Sequence, residues 1–341
     1  MFPVTDHVVK TPRHTSFYLA CGGRDAPPIV FVHGWPELSI SWRHQLPCFA
    51  ALGFRAIAPD MRGYGRSTVH PEPGDYALEH IVTDMIELLD SLGHEKAIWV
   101  GHDWGSPVVW NLASHFPERC HGVANLCVPY FPKGFSSDTL LGLIDRAIYP
   151  ETEFPFGQWE YQLFYRENFD KARAVFESNV TATIKALFRK GNPDGKGKPS
   201  RTAFVRNEGG WFGGRPEAPD VPLDTDVLTE AELSAYVASL TRNGFSGPNA
   251  WYVNPAANRA YQDTSANDGR LEMPVLFLHG EYDYTCQTLD GRLAEPMRRS
   301  CGDLTEVIIR TGHWMAQENP VAVNAALARW IATKLPFAWH G

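Results

Sequence analysis

No apolar stretch among the 341 residues approaches the roughly 20 consecutive positions that a membrane-spanning helix requires. The opening Met1-Phe2-Pro3-Val4-Thr5-Asp6 lacks a basic segment followed by an apolar run, so no secretory signal is expected. Nor is there a C-x-x-C pair. The six cysteines (Cys21, Cys48, Cys120, Cys127, Cys286 and Cys301) are scattered, and without export they are expected as reduced thiols in a cytoplasmic protein. In that setting Asn179-Val180-Thr181, which fits a glycosylation acceptor, is read as coincidence. Excess positive charge is also missing. With 31 Lys and Arg against 39 Asp and Glu the net charge is −8, which argues against nucleic-acid or anionic-membrane partners. Metal and phosphate signatures are absent too: there is no H-E-x-x-H and no G-x-x-x-x-G-K, and Gly63-Tyr64-Gly65 lacks the third glycine of a dinucleotide loop. No cofactor or metal is expected, and no internal repeat is present.

What remains is a chain that is 44% hydrophobic and 21% charged, the balance of a globular protein. Short apolar runs at Thr15–Ala20, Ile29–Val32, Phe54–Ala58, Ala97–Val100 and Gly122–Val128 read as strands. Between them lie helical patterns through Trp42 to Leu52, Tyr76 to Leu92, and Val108 to Phe116. Such alternation predicts a mostly parallel sheet with helices on both faces. It stops near Tyr130 and resumes at Pro274–Gly280, followed by a helix around Gln287–Arg299, a strand at Glu306–Ile309 and a helix at Val321–Leu335. The reading is one α/β core, residues 1–129 and 272–341, interrupted by a helical insertion at 130–271. Within the insertion, Lys190 to Pro199 is glycine-, lysine- and proline-rich and is expected to be a flexible loop.

The most informative stretch is Ala97-Ile98-Trp99-Val100-Gly101-His102-Asp103-Trp104-Gly105-Ser106. A buried strand, a sharp turn and a helix, with glycines two before and two after the apex, make a nucleophile elbow. Its apex is Asp103, where serine is usual. A carboxylate is a poor ester-cleaving nucleophile, because acyl transfer to it gives a labile anhydride. It suits displacement at a saturated carbon, which leaves an alkyl ester that water must then hydrolyse. A structural reading, aspartate as a helix N-cap, competes at this point.

Ester hydrolysis needs a general base, an orienting acid and an oxyanion hole. His313 follows the last strand in Thr311-Gly312-His313-Trp314, where parallel sheets place their sites. Asp283 in Gly280-Glu281-Tyr282-Asp283 is the candidate acid, with Glu281 and Asp290 as competitors; the end of the sixth strand offers only Asn125-Leu126-Cys127. The backbone N–H groups of Trp104 and of Trp35, the latter in His33-Gly34-Trp35-Pro36, are the candidate oxyanion donors. Chain order is nucleophile, acid, histidine.

Over nearly its whole length the chain resembles the epoxide hydrolases of the α/β-hydrolase fold. The motifs that carry the likeness are His33-Gly34-Trp35-Pro36-Glu37, Asp60-Met61-Arg62-Gly63-Tyr64-Gly65-Arg66-Ser67, Gly101-His102-Asp103-Trp104-Gly105, Tyr161-Gln162-Leu163 and Gly244 to Tyr252. The resemblance implies an eight-stranded sheet with a helical cap between strands 6 and 7. It is to the single-domain microbial and plant forms, without the N-terminal phosphatase domain of the mammalian enzymes. It also implies two cap tyrosines, Tyr161 and Tyr252, that protonate the opening ring oxygen; on pattern alone Tyr161 is not separable from Tyr165. Phenols near pKa 10 donate protons without ionising at neutral pH.

The expected substrate is an apolar epoxide, with water as co-substrate and the chain a monomer or homodimer. Trp35, Trp104, Trp159 and Phe245 are candidate substrate contacts. Leu140, Leu141, Leu143, Ile148 and Phe188 are possible further walls, each equally a core residue. Two alternatives stand beside epoxide hydrolysis. Haloalkane dehalogenation shares the aspartate and histidine but needs N–H donors for halide and has no use for a tyrosine pair. A non-catalytic ligand-binding protein on the same scaffold would not require the full set of catalytic groups.

Overall fold

A computed structural model describes residues 2–339. Eight strands form one sheet in the order β1-β2-β4-β3-β5-β6-β7-β8. They are β1 (Thr5–Lys10), β2 (Thr15–Cys21), β3 (Pro28–Val32), β4 (Arg55–Pro59), β5 (Ala97–His102), β6 (Cys120–Leu126), β7 (Leu271–Gly280) and β8 (Cys301–Ile309). β1 and β2 pair antiparallel, as do β2 and β4; every other pairing is parallel.

The central strands are buried on both faces, which is why they read as unbroken apolar runs. Their residues still alternate. Ala97 and Trp99 of β5 and Val30 and Val32 of β3 belong to one core cluster with Val108 and Leu112 of the helix Gly105–His115. Ile98, Val100, Ile29 and Phe31 belong to the opposite cluster with Leu46, Phe49 and Leu327, from the helices Gln45–Ala51 and Pro320–Lys334. Each of the Val, Leu, Ile and Phe side chains contributes roughly 1.5–3 kcal/mol by leaving water. The two helical layers thereby fix the height of β5, whose end carries Asp103.

Between β6 and β7 the chain builds further helices, including Glu160–Glu167, Phe169–Ser178, Val180–Leu187, Glu230–Asn243 and Ser246–Ala250. Their ends are set by local chemistry. Thr229 and Glu232 form a capping box at the start of Glu230–Asn243, Gly244 at φ 70° ends it, and the Asn179 side chain caps Val180–Leu187.

Several boundaries differ from the sequence reading. β1 was not anticipated: it is an edge strand whose half-buried face carries His7 and Val9 while Val8 is exposed, so its apolar residues do not alternate. β8 begins at Cys301 instead of Glu306, because pairing to β7 carries a polar start that periodicity does not see. The helix expected from Gln287 spans only Ala294–Ser300. Residues 190–199, expected to be a flexible loop, are tied down. Asn192 caps a short turn at Pro193–Gly195, and the Tyr284 hydroxyl donates to the Asn192 carbonyl at 2.9 Å.

Candidate active site

Asp103 leaves β5 with φ 49°, the left-handed region that costs a non-glycine residue on the order of 1–3 kcal/mol. The helix begun at Gly105 presses so closely on β3 that a Cβ there would lie 2.1 Å from the Val32 carbonyl oxygen. The elbow glycine is therefore a packing requirement.

The strained turn raises the carboxylate into a set of donors. The Trp35 N–H donates to Asp103 Oδ1 at 2.6 Å. A Cβ on Gly34 would meet Asp103 Oδ1 at 2.5 Å and the Trp104 nitrogen at 2.6 Å, so only glycine allows this loop to bring Trp35 alongside the Trp104 amide. Oδ2 faces the other way, 3.4 Å from His313 Nε2. His313 Nδ1 donates to Asp283 Oδ2 at 2.8 Å, and Asp283 Oδ1 accepts the Cys286 N–H at 3.3 Å. The competing Glu281 instead lies 3.5 Å from Arg310.

Burial alone would favour the neutral imidazole of His313, but Asp283 and Asp103 hold its pKa well above the ordinary value. Burial likewise disfavours the Asp283 carboxylate; His313 outweighs it and holds that pKa down to about 2. His313 thus lies between two acids, Asp283 and Asp103, that both favour its protonated form.

Tyr161 and Tyr252 join Asp103 and His313 in the lining of one cavity of 390 Å³, with Trp35, Leu187, Trp211 and Trp314. Their rings meet edge to face at 5.7 Å, and Tyr165 stacks behind Tyr252 at 4.2 Å. Gln162 Nε2 donates to the Tyr161 hydroxyl at 3.4 Å. Burial first, and nearby negative charge including Asp103 second, push both phenols above their ordinary pKa, so both carry protons across the working pH range. A second, smaller cavity of 30 Å³ also touches Asp103, Tyr161 and His313, and is lined by Trp104 and Trp159. Phe245 needs correction: it is fully buried, packs on Phe176 at 5.1 Å, and lines neither cavity. Phe188, Leu140 and Leu143 are likewise core residues, and Leu141 is exposed. Apolar spacing does not distinguish a wall from a core.

Two features went unread in the sequence. Behind the triad, His102 Nδ1 lies 2.7 Å from Glu37 Oε2 and its Nε2 lies 2.7 Å from the His313 carbonyl. Both partners only accept, so both ring nitrogens carry hydrogen and His102 is an imidazolium. Burial opposes that charge, but Glu37 raises the His102 pKa well above ordinary. Glu37, despite burial, is held down to about 2 by His102. Among the described residues, His102, Cys127 and His313 are the one group of ligand-type side chains close enough for a metal, with donor atoms within 4.8 Å. Because both nitrogens of His102 are committed, the group does not suit one. The second feature is a clasp on the His313 loop. Trp314 Nε1 donates to the Leu187 carbonyl at 2.9 Å and its ring stacks on Phe188 at 4.1 Å. Glu318 Oε2 accepts the N–H groups of Gly312 at 2.8 Å and Gly191 at 3.0 Å, joining the histidine loop to the inserted helices.

The alpha/beta hydrolase fold family matches residues 27–320. Epoxide hydrolase A of Mycobacterium tuberculosis is 32% identical over 96% of this chain and 97% of its own length. The chain belongs to the epoxide hydrolase family of α/β-hydrolases. It resembles solved structures closely. A crystal structure of epoxide hydrolase A from Mycobacterium thermoresistibile superposes with TM-score 0.79 at 32% identity, covering 97% of this chain and 98% of that one. The bifunctional epoxide hydrolase 2 of Sus scrofa is 33% identical over 90% of this chain, which spans about half (52%) of that protein. Within this epoxide hydrolase family member the Asp60–Ser67 motif is structural. The Asp60 carboxylate accepts the amides of Ser39 and Arg66, and Arg62 forms a bidentate pair with the buried Asp84 at 2.7 and 2.8 Å.

Proposed function

We propose that the protein hydrolyses apolar epoxides to vicinal diols through an alkyl ester on Asp103, with residues 130–271 acting as a cap over the core formed by 1–129 and 272–341. The observation that carries this reading is the common cavity lined by Asp103, His313, Tyr161 and Tyr252. Asp103 Oδ1 is engaged by the Trp35 N–H, which leaves Oδ2 as the attacking atom. Oδ2 forms a bond to a ring carbon, the ring C–O bond breaks, and its electron pair stays on oxygen, which takes a proton from Tyr161 or Tyr252. Solvent recharges the phenol.

Alkylation neutralises Asp103 and so removes one of the two anions that hold His313 protonated. The imidazole gives up its proton to solvent, offsetting the one that solvent returns to the phenol, and then accepts one from water as the water oxygen attacks Cγ of the ester. The developing oxyanion, from Oδ1, is held by the Trp35 and Trp104 amides, a donor pair of which each member is typically worth about 3 kcal/mol. Collapse breaks the ester, and the diol oxygen leaves with the proton from His313. Asp283 keeps Nδ1 protonated, so that Nε2 is the basic nitrogen.

The tyrosine pair favours an ether oxygen over a halide, and the Trp35 indole N–H, which could have served a halide, is engaged with Asn249 Oδ1 at 3.2 Å. A single turnover in ¹⁸O-water should place label in the Asp103 carboxylate before the diol, and Asp103→Asn should abolish turnover once deamidation is excluded. Label appearing first in the diol would refute the covalent step. Chloride release from chlorobutane, without diol from styrene oxide, would favour dehalogenation.

A further inference from the structure

The two cavities meet at the reacting atoms and differ greatly in size. Asp103, Tyr161 and His313 line both, yet one wing holds 390 Å³ and the other 30 Å³. An epoxide whose oxygen faces the tyrosines and whose carbon faces Asp103 Oδ2 must direct its two carbons' substituents into different wings. The small wing has room for about one or two water molecules, or a methyl-sized group. Its end is closed by Phe135, whose ring meets Trp159 at 5.8 Å, Phe131 at 5.0 Å and Trp104 at 6.4 Å.

Behind Phe135 lies another void of 30 Å³, reaching toward Arg166 and Lys133. Phe135, Trp104 and Gln162 line both voids. Phe135 therefore forms, with Trp104 and Gln162, a partition that divides what would be one continuous second wing into two spaces, neither large enough for a ring. The front space also borders His313 and Asp103, where the hydrolytic water has to enter. A bulky group there would compete with that water as well as with the wall.

Resting on the epoxide hydrolase reading, we infer that Phe135 is a specificity-determining residue that restricts the enzyme to epoxides bearing one large apolar substituent, with hydrogen or a methyl-sized group on the other carbon. The large wing, walled by Trp35, Leu187, Trp211 and Trp314, takes the bulky end.

The test compares styrene oxide, with a ring on one carbon only, and trans-stilbene oxide, with a ring on both. Wild-type kcat/KM should favour styrene oxide by about 30-fold or more, within the range that pocket sterics alone supply. In Phe135→Ala that ratio should narrow at least about fivefold as the voids merge. Phe135→Leu provides the same comparison should the alanine variant fail to fold, as judged by circular dichroism. A smaller wild-type preference, or a ratio unmoved in a folded variant, would overturn the inference while leaving epoxide hydrolysis intact. Failure of the wild type to consume either epoxide would instead remove the functional reading on which the inference rests.

Discussion

Asp283→Asn separates the two half-reactions. The carboxylate of Asp283 accepts from two donors, His313 Nδ1–H at 2.8 Å and the Cys286 N–H at 3.3 Å. Asparagine has one acceptor oxygen. If it faces His313, the Cys286 amide confronts an NH₂ group; if it faces Cys286, the NH₂ group donates to Nδ1 and drives the proton to Nε2, which disables the base. Either orientation also removes the charge that favours imidazolium. Burial works against the Asp283 carboxylate, yet His313 and the accepted hydrogen bonds hold its pKa down from 3.8 to about 2, a net preference of roughly 2–3 kcal/mol at ~1.4 kcal/mol per pH unit. That corresponds to a rate loss of about 10², rising toward ~10⁴ if the tautomer reverses. The loss should fall on hydrolysis of the ester, since Asp103 does not need His313 as a base to attack carbon. Rapid mixing with excess styrene oxide followed by intact-protein mass measurement should show the alkyl-enzyme accumulating to near stoichiometry. The sign of the pH effect is also fixed. Without Asp283 the His313 pKa in the ester falls, so the acid limb of the residual kcat profile should move to lower pH. A variant that loses turnover without accumulating ester, or whose acid limb moves up, would refute the division of labour between Asp103 and the Asp283–His313 pair.

Three further outcomes follow from the same geometry. Tyr161→Phe and Tyr252→Phe should each slow alkylation by about 10²-fold, read from the pre-steady-state burst, and the double variant should form no detectable ester; ester accumulation in either single variant would place the defect in the wrong step. Glu318→Ala leaves the Gly312 and Gly191 amides without their acceptor and should slow ester hydrolysis more than alkylation. Glu318→Gln, which keeps one accepting oxygen, should restore most of the rate, and equal loss in both variants would count against the clasp. The carboxylates of Asp283 and Glu37 both have folded pKa values of about 2, depressed from 3.8 and 4.5, so the stability they contribute is fully present above about pH 4.5 and is lost as pH falls toward 2. Urea midpoints measured down that range should fall by the equivalent of about 2 kcal/mol from Asp283 alone, and the fall should be smaller in Asp283→Asn.

The elbow was legible because backbone crowding dictates its residues. Gly105 has no room for a Cβ against Val32, and a buried parallel strand announces itself as an unbroken apolar run. The edge strand β1 was not, because its half-buried face sets His7 beside Val9 and its exposed face carries Val8, which leaves no apolar alternation. Tyr161 and Tyr165 occupy the same face of one helix, four residues apart, so periodicity could not separate them. Three-dimensional packing does: Tyr165 is wholly buried behind Tyr252, whereas Tyr161 reaches both cavities. Cavity walls were the least legible, since Phe245 in the core and Leu187 on the wall satisfy the same apolar spacing.

The His102–Glu37 pair occupies a middle ground. Each residue stood in a recognised motif, His33-Gly34-Trp35-Pro36-Glu37 or Gly101-His102-Asp103-Trp104-Gly105, yet no role was read from either. A signal was nevertheless present. Glu37 follows five residues behind a fully apolar strand, and His102 closes another, so both are committed to the interior by their neighbours, where each is 1% exposed. A carboxylate in such a place costs several kcal/mol unless a cation and further donors meet it. The demand is answered three times over, by His102, by the Gly34 amide at 3.0 Å and by Gln317 at 3.0 Å. Two ionisable residues at the ends of adjacent parallel strands are therefore a pairing that topology predicts: once β3 and β5 are placed side by side, the charge at the end of one needs the charge at the end of the other. Because His102 spends its second N–H on the His313 carbonyl, the pair that stabilises the interior also anchors the loop carrying the base.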